Sequence, residues 1–151
     1  MFELPPINTG FTKLVVQESL GVCAAINPFN GPAATMMIKL APALASGNFM
    51  VVTGAGKPGA LLASHMRIRK TSFTGSIGTG KSIQVAAVQS NLERVTLELG
   101  GKSPAMIFDD ANLDNALTWT INAILARSGQ VCVTATRVYV HKAISEEFIK
   151  R

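Results

Sequence analysis

The chain has 151 residues, 48% apolar and only 15% charged, against about 25% charge in an average soluble domain. That length supports about one domain with a real core and excludes disorder, disulfide miniproteins and collagen-like repeats. The net charge of +5 sits in the first half, with 6 basic and 2 acidic groups in residues 1–75 against 8 and 7 in 76–151; its one dense cluster, Arg67, Arg69 and Lys70, is too short and too poor in aromatics for a nucleic-acid surface.

Residues 1–6 lack both the basic start and the long apolar run of a secretory signal. Residues 20–27 form an apolar run closed by Pro28, the pattern of a buried strand and a turn. A helix is predicted over 33–45, stopped at Gly47, then a strand over 48–53 ending in the turn Gly54-Ala55-Gly56. The apolar stretch 33–52 carries Lys39 and Pro42 and falls short of the roughly 20 apolar residues of a membrane span, so no membrane association is expected. A helix over 58–66, a strand over 70–73 and a glycine loop over 75–80 follow. The next helix runs from near Thr79 to Ser90, with Ile83, Ala86, Ala87 and also Val85 as candidates for its inner face. Strands are predicted over 95–99 and 105–108, and a long helix capped by Asp110 or Asn112 runs to Arg127, stopped by Ser128-Gly129. A strand over 136–141 and a helix over 146–151, capped by Ser145, complete the pattern. Strands alternating with helices indicate an α/β domain with a largely parallel sheet. Cys23 and Cys132 follow no ligand or redox spacing, which points to a reducing compartment such as the cytoplasm and to no metal site.

Residues 75–82, Gly-Ser-Ile-Gly-Thr-Gly-Lys-Ser, satisfy the phosphate-loop pattern G-x-x-x-x-G-K-[ST] between a strand and a helix. In that reading Lys81 reaches the terminal phosphates of a nucleotide, Ser82 holds magnesium and Asp109 is the metal-side aspartate, making a nucleotide hydrolase.

Other segments favour a different reading. Leu97-Glu98-Leu99-Gly100-Gly101-Lys102-Ser103-Pro104 and Gly129-Gln130-Val131-Cys132 resemble the two active-site signatures of the aldehyde dehydrogenase superfamily. They are preceded in order by Ile26-Asn27-Pro28-Phe29-Asn30-Gly31-Pro32, by residues 39–48 (KLAPALASGN) and by Phe73-Thr74-Gly75-Ser76. The resemblance covers nearly all of the chain from Gly21 onward. It implies a Rossmann-like parallel sheet, a partial NAD(P)-binding domain over 1–97 and the start of an α/β catalytic domain over 98–151. The glycine loop then opens a helix toward the pyrophosphate of NAD or NADP, and Lys81 is incidental.

A thiol that oxidises an aldehyde needs donors for the oxyanion, a hydride acceptor and a base for water. The resemblance makes Cys132 the nucleophile that passes through thiohemiacetal and thioester, Asn30 an oxyanion donor with the Cys132 N–H, and Glu98 the base that activates water. An asparagine in Pro-x-Asn-Gly is also a good turn residue on its own, and a free cysteine is often a buried structural one, as Cys23 is expected to be. Ile26, Phe29, Gly75, Ser76, Gly80 and Leu99 match cofactor-lining positions, with Phe29 in place of the commoner tryptophan. Lys39 matches a lysine near the site, and snorkelling from an apolar helix explains it equally well. Arg127 stands where an asparagine is usual before Ser-Gly-Gln.

Between Val52 and Thr53 the family pattern has a strand end, a helix and a second strand that this sequence lacks. A parallel crossover needs a dozen or more residues, so two strands are expected to be fused and the ribose-holding lysine and glutamate lost. The chain also reads as a central fragment, without the family's oligomerisation segments, although the family is homo-oligomeric. The expected function is NAD(P)-dependent oxidation of a small-molecule aldehyde, weak or absent in this chain alone. The alternatives are a non-catalytic remnant or interaction partner of a full-length subunit, and the phosphate-loop hydrolase.

Overall fold

The computed structural model describes residues 2–3, 14–54 and 56–151. The expectation about a secretory leader in residues 1–6 falls outside them, apart from Phe2 and Glu3. Two short strands that the sequence pattern did not announce, β1 (Phe2–Glu3) and β2 (Leu14–Val15), pair antiparallel.

Four parallel strands carry the first half. β3 (Val22–Ile26) is followed by helix α1 (Pro32–Ala45) and β4 (Phe49–Thr53). Helix α2 (Gly56–Ala63) leads to β5 (Lys70–Gly75), and helix α3 (Ile77–Gln89) to β6 (Arg94–Leu99). The order across the sheet is β4-β3-β5-β6. The chain therefore leaves β3 on one side and returns past it to β5, and the crevice beyond the carboxyl ends of β3 and β5 is where such sheets bind ligands. The run of small apolar residues in β3 suits its central place, because crossover helices cover the faces of a parallel sheet and both α1 and α2 contact this strand. Behind the crevice Ile26, Ala63, Phe73 and Ile83 form a buried cluster, and Ala86, Val95, Leu97 and Leu99 pack against it.

A second parallel pair, β7 (Ser103–Ile107) and β8 (Ala135–Val140), is joined through helix α4 (Leu113–Leu125) and a 3-10 turn (Ala126–Gly129). Helix α5 (Ser145–Lys150) packs after it.

Several boundaries differ from expectation for identifiable reasons. Helix α3 begins at Ile77 because the Ser76 hydroxyl accepts the Thr79 N–H at 3.2 Å as its N-cap. Val85 is exposed, while Ile83 and Ala87 face inward. Of the two expected caps of α4, Asn112 is the one used, as it accepts the Asn115 N–H at 3.0 Å. That helix ends at Leu125, not at Arg127, since Arg127 (φ 50) and Ser128 (φ 56) are left-handed. Ser145 lies inside α5 and donates to the Lys142 carbonyl instead of capping it.

Candidate active site

The crevice at the strand ends opens into a cavity of about 770 Å³. Each neighbouring segment delivers part of its wall. The end of β3 supplies Ile26 and Asn27 and continues as Pro28, Phe29, Asn30 and Gly31; β5 supplies Phe73, Thr74, Gly75 and Ser76; β6 supplies Glu98 and Leu99. The segment after the left-handed turn brings Gly129, Gln130, Val131 and Cys132 to the same space. Parallel strands all end on one side of the sheet, so turns remote in sequence converge there without any dedicated contact.

Side-chain bonds tie the two halves of the wall together. The Asn30 Nδ2 donates to the Gln130 carbonyl at 2.5 Å, joining segments 100 residues apart. The Arg127 Nη1 donates to the Asn30 carbonyl. The Asn30 amide has a second N–H left, and Asn27 anchors the turn by donating its backbone N–H to the Thr53 carbonyl at 2.8 Å. Cys132 is an exposed free thiol on this wall, and Glu98 points from β6 with its side chain open to solvent. Cys23, expected in the core, is buried toward the other end of β3, where burial pushes its thiol up.

The glycines of the β5–α3 turn are close-approach residues. A Cβ on Gly80 would lie 2.8 Å from Leu99 Cδ2, and one on Gly75 would lie 2.5 Å from the Phe73 ring. A side chain at Gly80 would force the Leu99 side chain to shift for helix α3 to keep its approach to β6. Ile26 is buried behind this turn, Leu99 is half-buried, and Phe29 stands exposed on the opposite wall.

Lys39 does not snorkel to solvent. Its Nζ donates to the Ile26 carbonyl at 3.2 Å and to the Ser72 carbonyl at 3.1 Å, bridging the end of β3 and the middle of β5. Burial lowers its ammonium to about 8, and the Glu98 carboxylate opposes part of that shift. The structure thus adds the Gln130 carbonyl to the candidates and gives Lys39 and Arg127 their bonding partners. Lys39 and Arg127 were marked in the sequence, but their acceptors are main-chain carbonyls that no residue pattern marks.

The phosphate-loop motif does not form a phosphate cradle. From Ile77 onward it is α-helix, the Gly80 N–H is spent on the Ser76 carbonyl at 2.9 Å, and Ser82 donates to the Gly78 carbonyl. A nucleotide-gripping loop needs those N–H groups free. Among the described residues no three His, Cys, Asp or Glu side chains gather as metal ligands, and no helix is long and apolar enough to cross a membrane.

The aldehyde dehydrogenase family model matches residues 3–57 and 49–151. Human aldehyde dehydrogenase 1A1 is 38% identical over 177 residues, covering 97% of this chain and 35% of the relative. Mouse aldehyde dehydrogenase, cytosolic 1, is 41% identical over 166 residues, covering 89% of this chain and 33% of the relative. A crystal structure of PnpE in complex with nicotinamide adenine dinucleotide superposes with a TM-score of 0.93 at 33% identity, over 99% of this chain and 37% of the other. The chain therefore spans about a third of the length of these relatives. Residues 49–57 fall in both family-model segments, and the 177-residue alignment exceeds the 151 residues present. Both facts agree with one strand standing where the relatives have a longer stretch. With two family segments that together run from residue 3 to the last residue, the chain belongs to the aldehyde dehydrogenase family.

Proposed function

We propose that this chain carries the nucleophile, oxyanion donor and base of an NAD(P)-dependent aldehyde oxidation. The observation that supports this most directly is the convergence of Cys132, Asn30 and Glu98, from three separate segments, on one cavity beside the β5–α3 turn. The cofactor half would be 1–97 and the catalytic half 98–151.

The cavity suits a dinucleotide. The turn at Gly75 and Ser76 leaves the first N–H groups of a 13-residue helix near the cavity, and Gly80 removes the side chain that would separate that helix from Leu99. Ile26, Phe29 and Leu99 offer apolar walls for flat rings. Bound there, NAD(P) would supply the hydride acceptor, as the PnpE complex holds nicotinamide adenine dinucleotide.

The protein's own groups would do the rest. The Cys132 thiolate adds to the aldehyde carbon, and the carbonyl π pair moves to oxygen. The free N–H of Asn30 and the Cys132 backbone N–H donate to that oxygen. After oxidation leaves an acyl group on Cys132, Glu98 takes a proton from water, whose oxygen attacks the thioester and releases the carboxylic acid and the thiol. The Asn30 to Gln130 bond holds the amide against the cysteine segment before substrate arrives. The mouse relative's cytosolic name and the two separated thiols support a cytoplasmic setting.

Turnover is expected to be slow, because the stretch near residues 49–57 is shorter than in the relatives. The direct test is mass spectrometry of the chain after brief exposure to an aldehyde and NAD. An acyl adduct on Cys132, absent in Cys132→Ala and longer-lived in Glu98→Gln, is the expected result. A folded chain that forms no such adduct overturns the proposal.

A further inference from the structure

Two charged side chains, Glu98 and Arg127, line the cavity among the described residues, so Arg127 is its one cation. The rest of the wall is small, polar or apolar, with Phe29, Phe73 and Val131 among it. None of the ion pairs among the described residues includes Arg127, and Glu98 interacts instead with Lys39. Of the five N–H groups of its guanidinium, one is engaged by the Asn30 carbonyl, and no other protein acceptor bonds the rest among the described residues. The guanidinium is therefore held by one bond at the cavity wall, on an exposed residue, and its remaining donors have no protein acceptor among the described residues.

Its backbone is equally telling. Arg127 and Ser128 are both left-handed, a conformation that arginine adopts at a cost and asparagine or glycine more readily. Sparsely populated backbone conformations persist only where the surroundings over-determine them, and they cluster at active sites and ligand clamps. Lys39 cannot serve the same purpose, since its ammonium is committed to two carbonyls and the residue does not line the cavity.

We propose that Arg127 binds a carboxylate carried by the substrate, so that the site takes aldehydes bearing a second, acidic end. This rests on the cavity being the aldehyde-oxidising site proposed above. Arg127 holds the carbonyl of Asn30, whose amide would receive the aldehyde oxygen, and it precedes Cys132 by five positions. A guanidinium fork matches a carboxylate with two parallel hydrogen bonds, and a neutral chain end of the same shape gains neither. The dinucleotide's phosphates belong at the α3 turn in this arrangement, leaving Arg127 for the substrate.

Calorimetry with pentanoate and pentanamide, a carboxylate and its neutral counterpart, tests this without requiring turnover. The parent chain should bind pentanoate at least about tenfold more tightly than pentanamide, with Arg127→Gln losing that preference and Arg127→Lys keeping part of it. Thermal melts of each variant establish that it is folded. Equal binding of the two probes, no pentanoate binding by the folded parent, or a preference that survives Arg127→Gln would each overturn the proposal. So would a variant that loses NAD affinity in place of pentanoate affinity. A chain that selects pentanoate through Arg127 yet forms no acyl adduct on Cys132 would refute the oxidation chemistry and leave the carboxylate site standing.

Discussion

A partly buried ammonium trades hydration for carbonyl contacts that restore only part of it. Lys39 is held in this way, which is why it titrates near 8 and not at the ordinary lysine value of 10.5. Between those two values the unfolded chain holds the proton that the folded chain has released, so this lysine's contribution to stability rises with pH across that window. Side-chain NMR should show one lysine with a midpoint near 8, missing in Lys39→Met and moved lower in Glu98→Gln; a midpoint at the ordinary value would remove Lys39 from the site's electrostatics. Glu93 makes the opposite case at the far end of the sheet. Its Oε1 accepts the Thr71 hydroxyl at 2.7 Å, its Oε2 is buried without a hydrogen-bond partner among the described residues, and burial raises its carboxyl despite that bond. A folded value above the unfolded one means the ionised form costs stability at high pH and the cost disappears as pH falls below the usual glutamate range. Glu93→Gln should therefore exceed the parent in urea midpoint at pH 8, with the gap closing toward pH 4. A gap that does not vary with pH would place the effect in packing and not in charge.

Elements position these residues through close packing, and the clearest case is the pairing of β5 with α3. Gly75 follows Phe73 on the same face of β5, and the Phe73 ring occupies the space where a Cβ on Gly75 would stand. Gly75→Ala would displace a ring packed in the buried cluster with Ile26, Ala63 and Ile83. Such overpacking costs about 1–3 kcal/mol, to be read from the urea midpoint. Retention of full stability would show that the ring can move freely, and the turn would then not be under the constraint described. The alternation of apolar runs with helical stretches was legible because each element here obeys its own period, from the apolar β3 to the Asn112-capped α4. The order β4-β3-β5-β6 was not, since strand neighbours depend on contacts between residues far apart in the chain. The left-handed break at Arg127 and Ser128 was also hidden, because the preceding helical pattern continues smoothly and neither residue type announces a positive φ. The motif residues Cys132, Glu98 and Asn30, which line one cavity, could be proposed for the site in advance. The Lys39 and Arg127 bonds to carbonyls could not, because an acceptor on the main chain leaves no mark in residue identity.

At the scale of the whole molecule the two outer strands of the four-stranded sheet are unlike each other. β6 bears Arg94, Thr96 and Glu98 on its exposed positions, the charged and polar pattern that discourages a foreign strand from adding to an edge. β4 reads Phe-Met-Val-Val-Thr, without charge or proline, and its Phe49 and Val51 are exposed. Helix α1 beside it has no buried residue and exposes Met37, Ile38 and Leu44, so the apolar character extends past the strand. A surface of that kind, next to a strand of high β propensity, favours association through the edge. The relatives carry additional residues around this stretch, and in this chain β4 alone follows α1 before the turn to α2. The weight-average mass of the purified chain in sedimentation should therefore rise with concentration. Val51→Lys places a charge at an exposed position of β4, the register partner of Ala24, and should lower that rise while leaving the unfolding free energy within about 0.5 kcal/mol of the parent. Lys on an edge strand acts against pairing with another chain more than against its own sheet, so the two readouts separate the effects. If the substituted chain associates as strongly as the parent, the contact lies elsewhere on the apolar surface, and the β4 edge is not what draws two copies together.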